Sequence, residues 1–130
     1  MTRILIGFIA LFASFSSFST AFADQTTKDV NIAVNDVYVP SNLRAGDEAK
    51  IVLSGILPNG CYRYDRAVVR SVDFIHEIKA IAKVQTNSLC LMVLVPFAKE
   101  VNLGPLDAGV HTLRFISGDD TFFEKTLTVH

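Results

Sequence analysis

The sequence predicts an all-β fold, an immunoglobulin-like antiparallel β-sandwich of seven to eight strands. From Val30 onward, short apolar segments alternate with turn residues, the pattern typical of sandwich domains. No repeat, low-complexity tract or linker divides residues 30–130, and the chain is long enough for one hydrophobic core. Both cysteines, Cys61 and Cys90, fall inside this region. We therefore expect a single sandwich domain over residues 30–130.

The first 23 residues are typical of a secretory signal peptide. Arg3 supplies the positive start, residues 4–15 form the apolar stretch, and Ala21-Phe22-Ala23 provides the small residues that favour cleavage before Asp24. A membrane anchor is the alternative, but the apolar run is shorter than the about 20 residues that span a bilayer. We expect cleavage after Ala23, a periplasmic or secreted protein, and a flexible tail over residues 24–29.

The charge balance excludes several classes of partner. Without Arg3 the chain carries 11 basic against 13 acidic residues, a net charge of −2 with the three histidines neutral. Proteins that bind nucleic acid or anionic membranes usually show a basic patch or stripe, and the basic residues here are scattered. We expect neither nucleic acid nor a membrane span in the mature protein.

In the first half of the domain apolar and polar residues alternate regularly, which predicts strands. In residues 30–39 the apolar side chains fall first on even positions and then on odd positions. This switch of parity at Asn35-Asp36 predicts a bulge or a strand that changes sheet. Residues 48–54 alternate cleanly, which turns Ala49, Ile51 and Leu53 inward. Residues 55–60 form a tight connection that leads to Cys61.

The second half contains one ambiguous segment and one continuous apolar run. Residues 67–84 fit both the strand and the helix period, and β-branched content favours two strands, although whether 72–84 is strand or helix stays open. Residues 89–95 are continuously apolar, which predicts a central strand buried on both sides and ended by Pro96-Phe97. Residues 110–116 and 122–129 predict a final hairpin with its turn at 117–120.

The two cysteines predict a structural disulfide. An even cysteine count in an exported chain favours a disulfide bond. A metal pair would need further ligands and a redox pair would usually have two intervening residues, so both alternatives fit less well. Closing a loop of this length stabilises the fold by about 3.5 kcal/mol in the chain-entropy account.

Three segments resemble immunoglobulin-like and fibronectin-like β-sandwich domains of bacterial exported proteins. They are residues 53–61, a strand followed by a turn and a cysteine, residues 90–97, and residues 106–113, which look like the corner that enters a late strand. In such folds a Tyr at this corner bonds to the backbone upstream. The resemblance implies that His111 takes this structural role here.

The strongest candidate binding site follows Cys61. Tyr and Arg are enriched at protein-binding hot spots because they combine contact area with directed hydrogen bonds. The alternative is an edge strand whose charges prevent sheet-to-sheet aggregation. The candidate binding residues are Tyr62, Arg63, Tyr64, Arg66 and Arg70.

Other titratable residues show no pattern of a catalytic or metal site. Asp119 and Asp120 fit a plain hairpin turn better than half of a calcium site. His76, His111 and His130 lack metal spacing, and the sequence contains no nucleophile elbow, phosphate loop or zinc-protease motif. We expect no metal, no cofactor and no enzyme, although a small hydrolase built from His111 and Ser117 is a third possibility.

These observations predict a small, exported, non-catalytic binding module of the cell envelope. We expect its partner to be an envelope or extracellular protein, with a polysaccharide as the other candidate. A secreted protease inhibitor is the alternative function, since the disulfide would brace residues 57–61 as an exposed loop. The sequence leaves the partner's identity and the oligomeric state open.

Overall fold

The computed structural model describes Ser17, Ser19 and residues 26–130, and the predicted signal peptide therefore lies almost wholly outside the described residues. All regular structure in the described part of the chain is β-strand. The strands are β1 (Thr27–Ile32), β2 (Asp36–Tyr38), β3 (Glu48–Leu57), β4 (Tyr62–Val72), β5 (Ile75–Gln85), β6 (Val95–Pro105), β7 (Gly109–Ile116) and β8 (Phe122–Val129). Among the described residues, no helix is long and apolar enough to cross a bilayer.

The larger sheet is organised around β5. One edge of β5 pairs along its length with β4, antiparallel. Its other edge pairs antiparallel with β1 through residues 80–85 and parallel with β7 through residues 75–78. β8 completes this sheet by pairing antiparallel with β7. β4 is therefore an edge strand of a five-stranded sheet, and β5–β7 is the parallel exception to a mostly antiparallel fold.

The smaller sheet has the strand order β2-β3-β6, with antiparallel pairs throughout. The chain passes from β1 in the larger sheet to β2 in the smaller one within three residues. Asn35 sits in this crossing, where its N–H donates to the Ser54 carbonyl at 2.8 Å. The parity switch at Asn35-Asp36 thus marks a change of sheet, as the sequence predicted.

The core lies between the two sheets and consists of the inward-facing residues of both. Alternation along β3 leaves Ala49, Ile51 and Leu53 fully buried, which confirms the predicted inward face. Ile78 and Leu113 are equally buried on the larger sheet. Since burial of each large aliphatic side chain contributes about 1.5–3 kcal/mol, this shared face is the main source of stability. The all-β sandwich prediction is confirmed.

The prediction for residues 89–95 is wrong. Instead of a central strand, residues 86–94 form an unpaired connection, and β6 begins only at Val95. Pro96 and Phe97, expected to end a strand, lie at the start of β6, where Phe97 is buried. Continuous apolarity is shared by buried strands and by exposed apolar segments, so pattern alone could not separate them.

Residues 27–29, expected to belong to a flexible tail, lie in a strand. β1 begins at Thr27, and residues 27–29 pair with Gln85, Val84 and Lys83 of β5. Their polar side chains are exposed, so the hydrophobic pattern contained no signal for this pairing. The ambiguous segment 67–84 is two strands joined at Asp73-Phe74, where Asp73 adopts a φ of 53°.

Candidate functional site

A disulfide ties the start of β4 to the connection between β5 and β6. Cys61 and Cys90 are bonded, with their Cα atoms 5.1 Å apart, which confirms the predicted disulfide. Cys61 is buried, and its neighbour Gly60 donates its N–H to the Leu91 carbonyl at 2.8 Å. The connection is thus held to the body of the domain at two adjacent points.

Residues 89–94, here called the apolar segment, contain the longest run of exposed large apolar residues in the described chain. Their five large apolar side chains are between 54% and 104% exposed. No charged residue occurs between Thr86 and Ala98. Soluble monomers rarely expose contiguous apolar patches beyond a few hundred Å², and larger ones mark interaction sites. The exposed side chains are Leu89, Leu91, Met92, Val93 and Leu94.

The predicted binding residues on β4 are divided between two faces. Tyr62 and Tyr64 turn inward and pack partly buried against the core, and the Tyr64 ring stacks on Phe97 with centroids 5.6 Å apart. Burial raises the pKa of Tyr64, with Asp65 as a lesser cause. Alternation along the strand places Arg63 on the opposite face, and the register shift between Tyr64 and Arg66 turns Arg66 and Arg70 to that face as well. Arg63, Arg66 and Arg70 are all exposed.

Arg66 belongs to an ion-pair cluster on the outer surface of the larger sheet. Its guanidinium contacts Asp65 and lies 3.1 Å from Asp29, which also accepts a hydrogen bond from Lys83 at 3.0 Å. These donors hold the pKa of Asp29 below its ordinary value, Lys83 first and Arg66 second. Arg66 therefore has its charge paired within the domain.

Arg63 lies beside the disulfide and outside this cluster. Together with Tyr62, Cys61 and Lys83 it lines a shallow pocket of about 200 Å³. Among the described residues Arg63 makes no ion pair. The structure thus brings Tyr62 and Arg63 next to the disulfide. Arg70 lies toward the other end of β4, in a shallow pocket that Glu77 and Arg114 also line.

A chain of hydrogen bonds connects Ser71 to two buried histidines. Ser71 Oγ lies 2.6 Å from His76 Nδ1, and His76 Nε2 lies 2.8 Å from His111 Nδ1. His111 Nε2 donates to the Asp107 carbonyl at 2.7 Å. Both histidines are 2% exposed, whereas Ser71 lies exposed at the edge. Burial lowers the pKa of His76, and the neighbouring His111 lowers it further.

His111 makes the bond expected of a corner residue, with its N–H directed to a carbonyl four residues upstream. Its ring also packs against Phe74, with centroids 4.8 Å apart. Sequence reasoning missed the partnership with His76 and Ser71. Ser71 and His76 are cross-strand partners in the β4–β5 hairpin, so placing the turn at residues 73–74 would have been enough to pair them. The His76–His111 contact depends on the parallel β5–β7 pairing, which local patterns do not indicate.

The final hairpin supports the turn interpretation of Asp119 and Asp120. Asp119 Oδ1 accepts hydrogen bonds from the Thr121 hydroxyl at 2.6 Å and from the Thr121 N–H at 3.2 Å. These bonds lower the pKa of Asp119. Asp120 adopts the left-handed backbone of a tight turn. Within the described residues, no group of three or more His, Cys, Asp or Glu side chains is arranged to hold a metal ion.

The family model of the ORF11 beta-sandwich domain matches residues 51–129, which is more than half of the chain. The chain belongs to the ORF11 beta-sandwich domain family. The match runs from within β3 to the end of β8 and includes the disulfide, the apolar segment and the histidine pair. Neither a curated protein nor a solved structure shows significant similarity to the chain.

Proposed function

We propose that this ORF11 beta-sandwich domain is an exported binding module that captures a partner protein along the apolar segment. The observation that carries the proposal is the exposure of five large apolar side chains in six residues held by a disulfide. Leaving this surface in water is unfavourable, and a partner that covers it regains free energy at about 25 cal/mol per Å². A signal peptide and a structural disulfide fit an envelope or extracellular location.

The chemistry of the apolar segment favours a protein over a lipid surface. Segments that lie on membranes usually combine apolar side chains with Lys or Arg and with interfacial Trp or Tyr. Residues 86–94 contain none of these four residue types. An uncharged apolar run is instead suited to the dry centre of a protein interface.

Backbone geometry supports strand addition as the binding mode. The segment has no assigned turn or bridge over residues 89–94 and continues directly into β6. Among the described residues, the Gly60–Leu91 bond is its one backbone hydrogen bond outside the strand ladders. Within the part of the chain that the structure describes, β6 pairs only with β3 and its other edge makes no strand pairing. An extended apolar strand of a partner would pair with this backbone and cover the side chains.

The charge at the adjacent pocket narrows the class of partner protein further. Arg63 lies beside the disulfide and has its charge unpaired among the described residues. An acidic group flanking the partner's apolar strand would meet this guanidinium. A second copy of the chain, paired segment to segment, would present residues 86–98, which contain no acidic group to meet Arg63. We therefore propose a different protein as the partner.

A protease inhibitor is the second candidate, through a different loop from the one the sequence suggested. Leu57 and Cys61 are buried, which leaves only Pro58, Asn59 and Gly60 of residues 57–61 at the surface and no large side chain to fill a protease pocket. The apolar segment, extended, exposed and flanked by Cys90, has the features of a substrate-like strand. Titration against serine and cysteine proteases tests this candidate, and inhibition at equal molar amounts would assign the partner as a protease.

The experiment compares partner capture by three forms of the disulfide-intact exported protein in envelope extract. The first is wild type and the second replaces Leu91 and Met92 with Asn. The third, a matched control, replaces Val110 with Asn, because Val110 is 62% exposed on β7 and distant in sequence from the segment. We expect the same protein to be captured by wild type and the control and lost with Leu91→Asn/Met92→Asn.

Two further measurements test whether a second copy of the chain or a membrane covers the surface instead. Light scattering of the pure protein measures self-association, and flotation with vesicles of anionic and neutral lipid measures membrane binding. Self-association or flotation that the Leu91→Asn/Met92→Asn change abolishes would overturn the proposal. Equal capture by all three forms would place the binding surface elsewhere.

A further inference from the structure

We propose that Ser71 is an activated nucleophile and that Ser71, His76 and His111 form an acyl-transfer site for activated esters. A nucleophile within hydrogen-bond reach of a base that a third group orients is the recurring arrangement of such sites. Here the distances from hydroxyl to base and from base to orienting group are 2.6 and 2.8 Å. The arrangement is recognised by geometry and roles, independent of fold and of residue order.

The Asp107 carbonyl sets the direction of every proton in the chain. A carbonyl oxygen only accepts, so His111 Nε2 carries hydrogen and the Nδ1 of neutral His111 is an acceptor. His76 Nε2 therefore donates to His111, which leaves the Nδ1 of neutral His76 as an acceptor. Ser71 donates its hydroxyl hydrogen to this nitrogen. The free lone pairs of Ser71 Oγ remain available to an acyl carbon.

The exposure of the three residues fits their separate roles. Ser71 is exposed, so a substrate has access to its oxygen, while the two imidazoles are buried and shielded from water. Burial keeps His76 neutral near pH 7, the state in which it can accept a proton. His111 makes no contact with the hydroxyl and acts as a positioning residue for His76.

The reaction balances without any further reactant than the ester and water. Ser71 Oγ forms a bond to the acyl carbon while its proton moves to His76 Nδ1. The bond from the acyl carbon to the leaving oxygen then breaks, and the leaving group takes that proton from His76. Water then gives a proton to His76 and bonds to the acyl carbon. The bond from that carbon to Ser71 Oγ breaks, the acid leaves, and Ser71 Oγ takes the proton back from His76. An ester with a phenolate leaving group suits this site, because the leaving oxygen is stable as an anion.

This site is separate from the proposed binding surface. Ser71 and Tyr62 lie near opposite ends of β4, about 30 Å apart at the usual rise of a strand. The inference therefore goes beyond the proposed binding function and does not depend on it. Loss of either activity by substitution at one end is expected to leave the other unchanged.

The test measures acylation of the full exported protein by p-nitrophenyl acetate and locates the acetyl group by peptide mass spectrometry. We expect acetyl-Ser71 in wild type and in Ser41→Ala, a control at an exposed serine between β2 and β3. We expect at least about 100-fold slower reaction in Ser71→Ala, since base-assisted attack typically contributes 10²–10⁴-fold. His76→Gln is expected to slow acylation of Ser71 similarly.

The pH profile of wild type tests the role of His76 without a substitution. The rate is expected to fall as pH falls and His76 takes up a proton, and His111→Asn is expected to shift that profile. Acetylation of Ser71→Ala at the wild-type rate, or of wild type at a residue other than Ser71, would overturn the proposal. A wild-type rate that stays flat from pH 5 to 8 would remove His76 as the base.

Discussion

His76 Nε2 lies 2.8 Å from His111 Nδ1 in a buried pair, so the tautomer of His111, which the Asp107 carbonyl sets, fixes that of His76. A first proton would enter at His76 Nδ1, where the Ser71 hydroxyl can turn to accept. A second proton, on His111 Nδ1, would place two N–H groups face to face and break the bond. The pair thus holds at most one proton without losing its hydrogen bond.

This pair makes stability depend on pH. The pKa of His76 is lowered, by burial first and by His111 second, so the unfolded chain binds the proton more readily than the folded one. The contribution is fully present above the unfolded pKa of about 6.5 and is lost as pH falls toward the folded value. Urea titrations at pH 8, 7, 6 and 5 are expected to show this decrease. In His76→Gln the decrease should shrink, while His130→Gln should retain it.

The disulfide is expected to contribute to stability and to the position of the apolar segment. Cys61→Ser/Cys90→Ser removes both cysteines of the chain. We expect unfolding free energy to fall by about 3.5 kcal/mol, because the unfolded chain regains the entropy of an open loop. Thermal unfolding with and without reductant measures this. A wild-type midpoint that reductant leaves unchanged, with reduction verified by mass, would contradict the expectation.

Gly55 is required by the packing of β3 against Phe97. A Cβ at this position would lie 2.6 Å from Phe97 Cε1 and 2.9 Å from the Ala33 carbonyl oxygen. Gly55→Ala is therefore expected to destabilise the domain by about 1–3 kcal/mol, as overpacking of a core does. Ser54→Ala, one residue away, is the control and should change stability less. Equal urea midpoints for the two variants would show that Phe97 and the backbone move to accommodate the added methyl group, which would contradict this expectation.

Asp29 is expected to respond to its two basic partners unequally. Lys83 is the larger cause of its lowered pKa and Arg66 the smaller. Lys83→Gln should therefore raise the pKa of Asp29 toward 3.8 by more than Arg66→Gln does. Carboxyl carbon shifts from NMR titration report this directly. Lys79→Gln, on the same strand, should leave Asp29 unchanged, and the reverse order of effects would contradict the assigned contacts.

Local patterns sufficed to predict most of the fold. Alternation over residues 48–54 placed Ala49, Ile51 and Leu53 in the core, and the parity switch at residues 35–36 located the change of sheet. These features depend on the two-residue period of a strand, which the sequence contains. The disulfide prediction was confirmed for a similar reason, since it depends on an even cysteine count that the sequence contains.

The long-range arrangement of the strands could not be predicted from local sequence patterns. The apolar run at residues 89–95 has the composition of a buried strand, and nothing local shows that its neighbours leave it exposed. Grouping Tyr62 with Arg63 by sequence adjacency overlooked that successive side chains point to opposite faces. The parallel β5–β7 pairing that joins His76 to His111 connects residues more than 30 positions apart in the sequence, so local periodicity cannot predict it.

The most direct test of the account is photocrosslinking from the apolar segment itself. A benzoylphenylalanine at Met92, 84% exposed, is compared with one at Val110 in exported protein irradiated in envelope extract. We expect one protein adduct from position 92 that is absent from position 110 and is reduced when Arg63 is changed to Glu. Adducts that are equal from both positions, or that form only between copies of this chain, would contradict capture of a partner along residues 89–94.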